Sequence, residues 1–227
     1  MQKSLIFMLD VSSDMNDSLS FILEELENKC KSGLQSLEYL DVYEFSLRII
    51  TFGRQVSWVY GNENDGIPFK DINWDYIKRN ISLSPGGSHL GEAISRVCDT
   101  FYYGNQLVDP DQLCPVIVLI SRGSPTDDYE NLLNRAIEKK IGEEKQGIFA
   151  LSLRLAIGLD CRQENEINNM KQFGRLSKSY LDQGCKSYHE VNTFDSNALS
   201  EILDEVIQIF TSISYTGLRP FTISEKI

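Results

Sequence analysis

Two apolar patterns alternate along the chain. Continuous apolar runs that break off into small polar residues occur at 5–9 and 116–120, a mostly apolar stretch occupies 147–158, and between them lie stretches whose apolar positions recur every three or four residues. The first pattern belongs to strands covered on both faces, the second to helices packed on a sheet. Leu19, Ile22, Leu23, Leu26 and Cys30 predict a first helix, Leu90, Ile94, Val97, Cys98 and Phe101 one over 90–103, and Leu132, Leu133, Ala136 and Ile137 a third. Residues 163–173 read as a short helix, and Leu199, Ile202, Leu203, Val206, Ile209 and Phe210 as the last one. Residues 45–52 alternate, turn at Gly53-Arg54 and return over 55–60, a hairpin that places one antiparallel strand at a sheet edge. Residues 187–191 give the final strand. This alternation predicts an α/β, doubly wound, Rossmann-like domain: a central, mostly parallel sheet of about six strands, one antiparallel edge strand, and helices on both faces. The domain is expected over 1–212, with 213–227 as a C-terminal tail that holds Gly217 and Pro220 and no clear period. Residues 61–84 and 104–115 read as irregular connections, with Trp74 packed inward.

In such sheets ligands bind beyond the carboxyl ends of the strands. The first apolar run ends there in Asp10-Val11-Ser12-Ser13-Asp14. Alternate residues of a tight loop can aim a carboxylate and a hydroxyl at one point, and all-oxygen ligation is what Mg²⁺ or Mn²⁺ prefers. The competing reading is a turn that caps the following helix. Two further stretches shift the balance: Ser84-Pro85-Gly86-Gly87-Ser88-His89-Leu90-Gly91, a glycine turn opening a helix, and Ser121-Arg122-Gly123-Ser124-Pro125-Thr126-Asp127-Asp128, a polar loop after a buried strand. Ser88 is also a natural helix N-cap, and Asp127 and Asp128 read as caps or first-turn charges of the helix that follows them.

Together these three loops resemble those of a von Willebrand factor type A domain. In that family an Asp-x-Ser-x-Ser loop, a Thr after Gly-Gly and an Asp in a strand-end Thr-Asp-Gly loop hold a divalent cation at the metal-ion-dependent adhesion site (MIDAS). Asp10 and Ser12 match the first loop, Asp14 stands at its second Ser, Ser88 stands for the Thr, and Arg122 stands for the third-loop Asp. The resemblance therefore implies a metal set of Asp10, Ser12, Asp14 and Ser88, with a fixed cation where an anion belongs. At about 4 Å and an effective dielectric near 20, one unit charge is worth roughly 4 kcal/mol against an incoming ion. The expectation is a degenerate site in which Arg122 replaces the metal and pairs with Asp10 or Asp14. The alternative is a working site that holds Mg²⁺ or Mn²⁺ and captures a partner carboxylate; between the two, no cofactor is favoured. Gly-Gly-Ser-His-Leu-Gly and Ser-Pro-Thr-Asp-Asp resemble the bacterial intracellular members associated with tellurite resistance and stress operons, and the strand ending Leu-Ala-Ile-Gly resembles that of many bacterial members of the family. The resemblance thus implies a non-catalytic protein-interaction module, its partner docking at the carboxyl-end face of the sheet.

Composition narrows the alternatives. A formal net charge of −11 disfavours a general nucleic-acid or anionic-membrane surface. Five scattered cysteines and two histidines give neither a disulfide framework nor a zinc module, and the first apolar run is too short for a signal or a membrane span, so a cytoplasmic, bacterial protein is expected. An enzyme reading survives as a minor alternative, a phosphohydrolase with Asp10 as nucleophile. It lacks the second Asp expected two positions on, where this chain has Ser12. No phosphate-binding Gly-rich motif occurs, and two isolated histidines build no Ser-His-Asp arrangement.

Overall fold

A computed structural model describes residues 3–34, 45–62, 65–100, 115–141, 145–192 and 195–216. The chain begins with strand β1 (Lys3–Asp10), a 3-10 turn (Ser13–Met15) and helix α1 (Leu19–Leu34). It continues through β2 (Phe45–Phe52), β3 (Val56–Tyr60), the two-residue β4 (Ile67–Pro68), α2 (Trp74–Asn80) and α3 (Leu90–Thr100). Next come β5 (Val116–Ser121), α4 (Tyr129–Glu138), a small hairpin of β6 (Lys140–Ile141) and β7 (Lys145–Gln146), a single turn α5 (Ile148–Leu151) and β8 (Leu153–Leu159). The last elements are α6 (Glu164–Phe173), α7 (Lys178–Asp182), β9 (Tyr188–Val191) and α8 (Ser196–Thr216).

The main sheet has the order β3-β2-β1-β5-β8-β9, parallel except for the edge strand β3 and the short β4, both antiparallel to β2. Side chains of a strand alternate between faces, so each strand feeds two cores. Leu5, Phe7 and Leu9 of β1 join α1, α2 and α8 on one side. Ile6 and Met8 join α3, α4 and α6 on the other. The chain runs outward from β1 to β2 and β3, then returns to place β5 on the opposite side of β1. That reversal of direction opens a crevice at the carboxyl ends of β1 and β5. Leu9 pairs with Ile120, so Asp10 and Ser121 follow side by side at its floor.

The expected architecture is present, with corrections in detail. The alternation of β2 does not reflect an exposed edge, because all eight of its residues are buried. Its polar members find partners indoors: Ser46 Oγ lies 3.0 Å from Ser4 Oγ, and Arg48 Nη1 donates to Asn62 O at 3.2 Å. The strand expected from residue 147 starts at Leu153, since 148–151 form a helical turn closed by Ser152 Oγ donating to Phe149 O at 2.7 Å. Periodicity could not separate a buried turn from a buried strand in one apolar run. The last helix continues to Thr216, beyond the expected boundary at 212, while residues 217–227 of the expected tail, the connection at 104–114 and residues 101–103 of the helix predicted to end at 103 lie outside the described residues. Trp74 is buried, as expected.

Arg154, only 3% exposed, holds the lower end of the fold together. Its Nε donates to Phe173 O at 2.9 Å, at the carboxyl end of α6 where the helix dipole favours a cation, and its Nη1 to Phe149 O within the turn α5. The guanidinium also lies 4.8 Å from the centre of the Phe149 ring. Burial, and after it the charge of Arg175, lowers its pKa to about 10, which leaves it charged at neutral pH.

Candidate functional site at the carboxyl ends of β1 and β5

Asp10 is the last residue of β1 and is 2% exposed. Its Oδ1 accepts the backbone N–H of Ser12 at 2.9 Å. Its Oδ2 accepts two hydroxyls, Ser88 Oγ at 3.1 Å and Ser121 Oγ at 2.7 Å. Ser121 Oγ in turn accepts the Gly123 N–H at 3.0 Å. One carboxylate therefore ties the three loops that sequence singled out. Backbone bonds run the same way, from Ser84 N to Val11 O at 2.7 Å and from Thr126 N to Ser88 O at 2.8 Å. Burial raises the Asp10 pKa above its ordinary value, opposed by the hydrogen bonds from Ser121, Ser12 and Ser88.

The local sequence explains this convergence. Gly87 lies against the third loop, where a Cβ would stand 2.1 Å from Thr126 Oγ1, and Gly86 has a φ of 126°, open chiefly to glycine. Ser88 is thereby held against Asp10 rather than acting as the cap of α3. That cap comes from another loop: Asp127 Oδ1 accepts the Gly91 N–H at 3.1 Å and Oδ2 the Glu92 N–H at 2.8 Å. The expectation that Asp127 serves the helix following it in sequence is corrected. The carboxylate bridges loop to helix across 35 residues, a pairing that local spacing could not display.

Ser12 and Ser88 are buried beside Asp10, whereas Asp14 is exposed on the short turn that follows. Arg122 does not pair with Asp10 or Asp14, as the sequence had suggested. Its Nη2 lies 3.7 Å from Asp160 Oδ2, on the loop after β8. Asp10 already receives its donors from Ser12, Ser88 and Ser121, so the guanidinium finds its nearest anion farther along the sheet. The Arg122 side chain is 30% exposed, and its Nε is buried with no hydrogen-bond acceptor. Together with Asp14, Ser124, Asp160, Arg162, Gln163 and Glu166 it lines an open, polar pocket of about 190 Å³. A second hollow of about 380 Å³ shares Asp160 and Arg162 and extends to Glu190 and Val191 at the end of β9.

Glu166 is committed within this pocket. Its Oε1 accepts Ser124 Oγ at 2.9 Å and its Oε2 the N–H groups of Arg162 and Gln163 at 2.8 and 2.9 Å. Burial alone would raise its pKa, but those bonds and the Arg122 charge outweigh it and hold the carboxyl below its ordinary value. Ser121 and Asp160 were not singled out from sequence. A strand-end serine reads as a turn former, and Asp160 owes its place beside Arg122 to the pairing of β5 with β8.

The oxygen donors around Asp10 suit a hard divalent ion in kind but not in charge. One buried carboxylate stands among hydroxyls that already donate to it, and the next residue after Ser121 carries a guanidinium. A cation there would have to turn two serine protons away from Asp10 and tolerate Arg122 nearby. Among the described residues no group of three or more His, Cys, Asp or Glu side chains is placed to hold a metal.

This chain has the von Willebrand factor type A fold, an α/β sheet with one antiparallel edge and loops converging above β1 and β5. No family model matches the sequence, and no curated protein matches it. Solved structures do. Proximal thread matrix protein 1 from the mussel byssus, in a structure with a zinc-occupied MIDAS motif, superposes with a TM-score of 0.63 at 14% identity, covering 91% of this chain and 47% of that one. The pilus adhesin SpaC of Lactobacillus rhamnosus GG gives 0.64 at 10% identity over 92% of this chain and 30% of its own. A von Willebrand factor type A protein from Catenulispora acidiphila gives 0.55 at 12% identity over 91% and 42%. This chain thus spans less than half the length of each of these three structures.

Proposed function

We propose that the chain is a non-catalytic protein-interaction module whose MIDAS is degenerate, with hydrogen bonds to Asp10 doing the cross-linking that a metal would otherwise do. The observation that carries this reading is the reach of Asp10 into all three loops through Ser12, Ser88 and Ser121. These hydrogen bonds link the loops, and Arg122 lines the carboxyl-end crevice beside Asp14, Asp160, Arg162 and Glu166. Its guanidinium, with an unfilled Nε, suits a partner carboxylate as a charge-assisted fork. A nucleophilic role for Asp10 is disfavoured by its burial and by the donors on both of its oxygens. The four cysteines among the described residues, Cys30, Cys98, Cys161 and Cys185, are unpaired, which supports a reducing, cytoplasmic setting. No helix among the described residues is long and apolar enough to cross a membrane. The link to bacterial stress or tellurite resistance rests on the loop resemblance alone.

The test is a partner captured on the immobilised chain, purified, and titrated against the native protein and Arg122→Ala. A weakening of about tenfold or more, ~1.4 kcal/mol, is expected for the variant. Equal affinity for both would remove Arg122 from recognition. A second reading, a metal-loaded site that bridges to a partner carboxylate, is favoured by the oxygen donor set around Asp10. Direct metal titration separates it from the first.

A further inference from the structure

We infer that the pocket beside Arg122 receives an acidic side chain of a protein partner, and that Asp160 is an internal competitor which occupies the guanidinium until the partner displaces it. This rests on the reading above that Arg122 faces a partner, and it adds what holds the site before binding.

Three observations point to it. First, the tie between Arg122 and Asp160 is loose. At 3.7 Å it is an ion pair without a hydrogen bond, and its two side chains are 30% and 16% exposed. Secondly, the guanidinium is only half used. Nη2 and Nε lie along one edge of the fork, the edge that grips a carboxylate through two parallel bonds, yet Nε is buried with no acceptor. Asp160 stands near one end of that edge and leaves the other unserved. Thirdly, Asp160 has a φ of 48°, the one non-glycine residue among those described in the left-handed region. Its backbone is pinned there by its N–H donating to Val191 O at 2.9 Å. A residue kept in such a conformation by its surroundings is placed rather than relaxed, and such placements gather at binding sites.

The neighbouring charges fit an exchange. Glu166 is already satisfied by Ser124 Oγ and two backbone N–H groups, so it does not compete for Arg122 by hydrogen bonding. Arg162 is exposed and lines both hollows together with Asp160. A displaced Asp160 carboxylate therefore has a second cation two residues away, while the partner's carboxylate takes both ends of the Arg122 edge. The occupant is acidic because the unserved group is a cationic donor. It is a single side chain because the 190 Å³ hollow is small and polar, with no apolar residue in its lining.

The experiment follows the Nε–Hε resonance of Arg122 by NMR, assigned through its loss in Arg122→Lys, while blocked glutamate (N-acetyl-glutamic acid amide) or its neutral counterpart, blocked glutamine, is titrated in. The protein is compared as the native chain, as Asp160→Gly, which accepts the φ without strain, and as Asp160→Asn, which keeps the side-chain size and removes the charge. Both variants are expected to shift the resonance at several-fold lower blocked glutamate than the native chain does, with blocked glutamine moving it in none. Equal titrations in the native chain and the variants, or equal response to the two probes, would overturn the inference. Should Asp160→Gly fail to fold, Asp160→Asn decides. Loss of partner binding in Arg122→Ala together with equal glutamate titrations would leave the protein-interaction reading standing and remove only the competitor. Unchanged partner binding in Arg122→Ala would remove Arg122 from recognition and overturn the inference with it.

Discussion

Asp10 brings a carboxylate to a place that is almost closed to water, and the donors around it are neutral: serine hydroxyls and the Ser12 N–H. Burial raises the folded pKa above the unfolded 3.8, so over the window between the two values the folded chain holds a proton that the unfolded chain has released. Stability from this group is therefore greatest below the unfolded value and falls as pH climbs through the folded one. In Asp10→Asn that dependence is gone. The stability advantage of the native protein over Asp10→Asn is expected to be larger near pH 4 than at pH 7 in denaturant titrations. An advantage that grows with pH would show that the carboxylate is stabilised as an anion, as by an unrecognised cation. Asp10, Ser12 and Ser88 were readable as a constellation because their spacing is a pattern. Ser121 and Asp127 were not, since nothing in a strand-end serine or in one of two adjacent aspartates says which distant loop it will reach. Arg122 was readable as an anomaly, but its partner was not. Asp160 comes to it only through the pairing of β5 with β8.

At the scale of the elements, the Gly86-Gly87 turn sets how closely the second loop approaches the third. The Cβ of an alanine at 87 would overlap Thr126, whose β-branched side chain has little freedom to yield. The turn would then retreat, stretching the bond between Thr126 N and Ser88 O and the reach of Ser88 to Asp10. Gly87→Ala is expected to cost about 1–3 kcal/mol in chemical denaturation, the range for overpacking a tight contact. An unchanged midpoint would mean that the loops are not mutually supported. Most elements were legible because each pattern is local: β1, β5, α1, α3 and α6 lie where their apolar periods placed them. The failures share a cause. The antiparallel edge strand is β3, as expected, but the partners of the polar residues in buried β2, Ser4 on β1 and Asn62 beyond β3, come from outside its own pattern. The turn α5 was hidden inside an apolar run shared with β8. The two-residue strands β4, β6 and β7 are too short to carry a period.

For the whole molecule, the doubly wound order puts the β1 and β5 loops at the one crevice where neighbouring connections run to opposite sides of the sheet. The fold that it shares with a mussel byssus protein and a pilus adhesin is a scaffold, and function resides in the residues displayed there. Two features of this chain stand at that crevice: a carboxylate that links the loops by hydrogen bonds, and an arginine turned toward the loop after β8. The central claim is that these replace a bound ion. It is tested most directly by calorimetric titration of Mg²⁺ and Mn²⁺ into the native protein beside Arg122→Asp. The account predicts no binding heat from the native chain at millimolar metal and measurable binding once Arg122→Asp restores the missing anion. Saturable metal binding by the native chain, no weaker than by the variant, would contradict it and make metal-bridged capture of a partner carboxylate the function of the site.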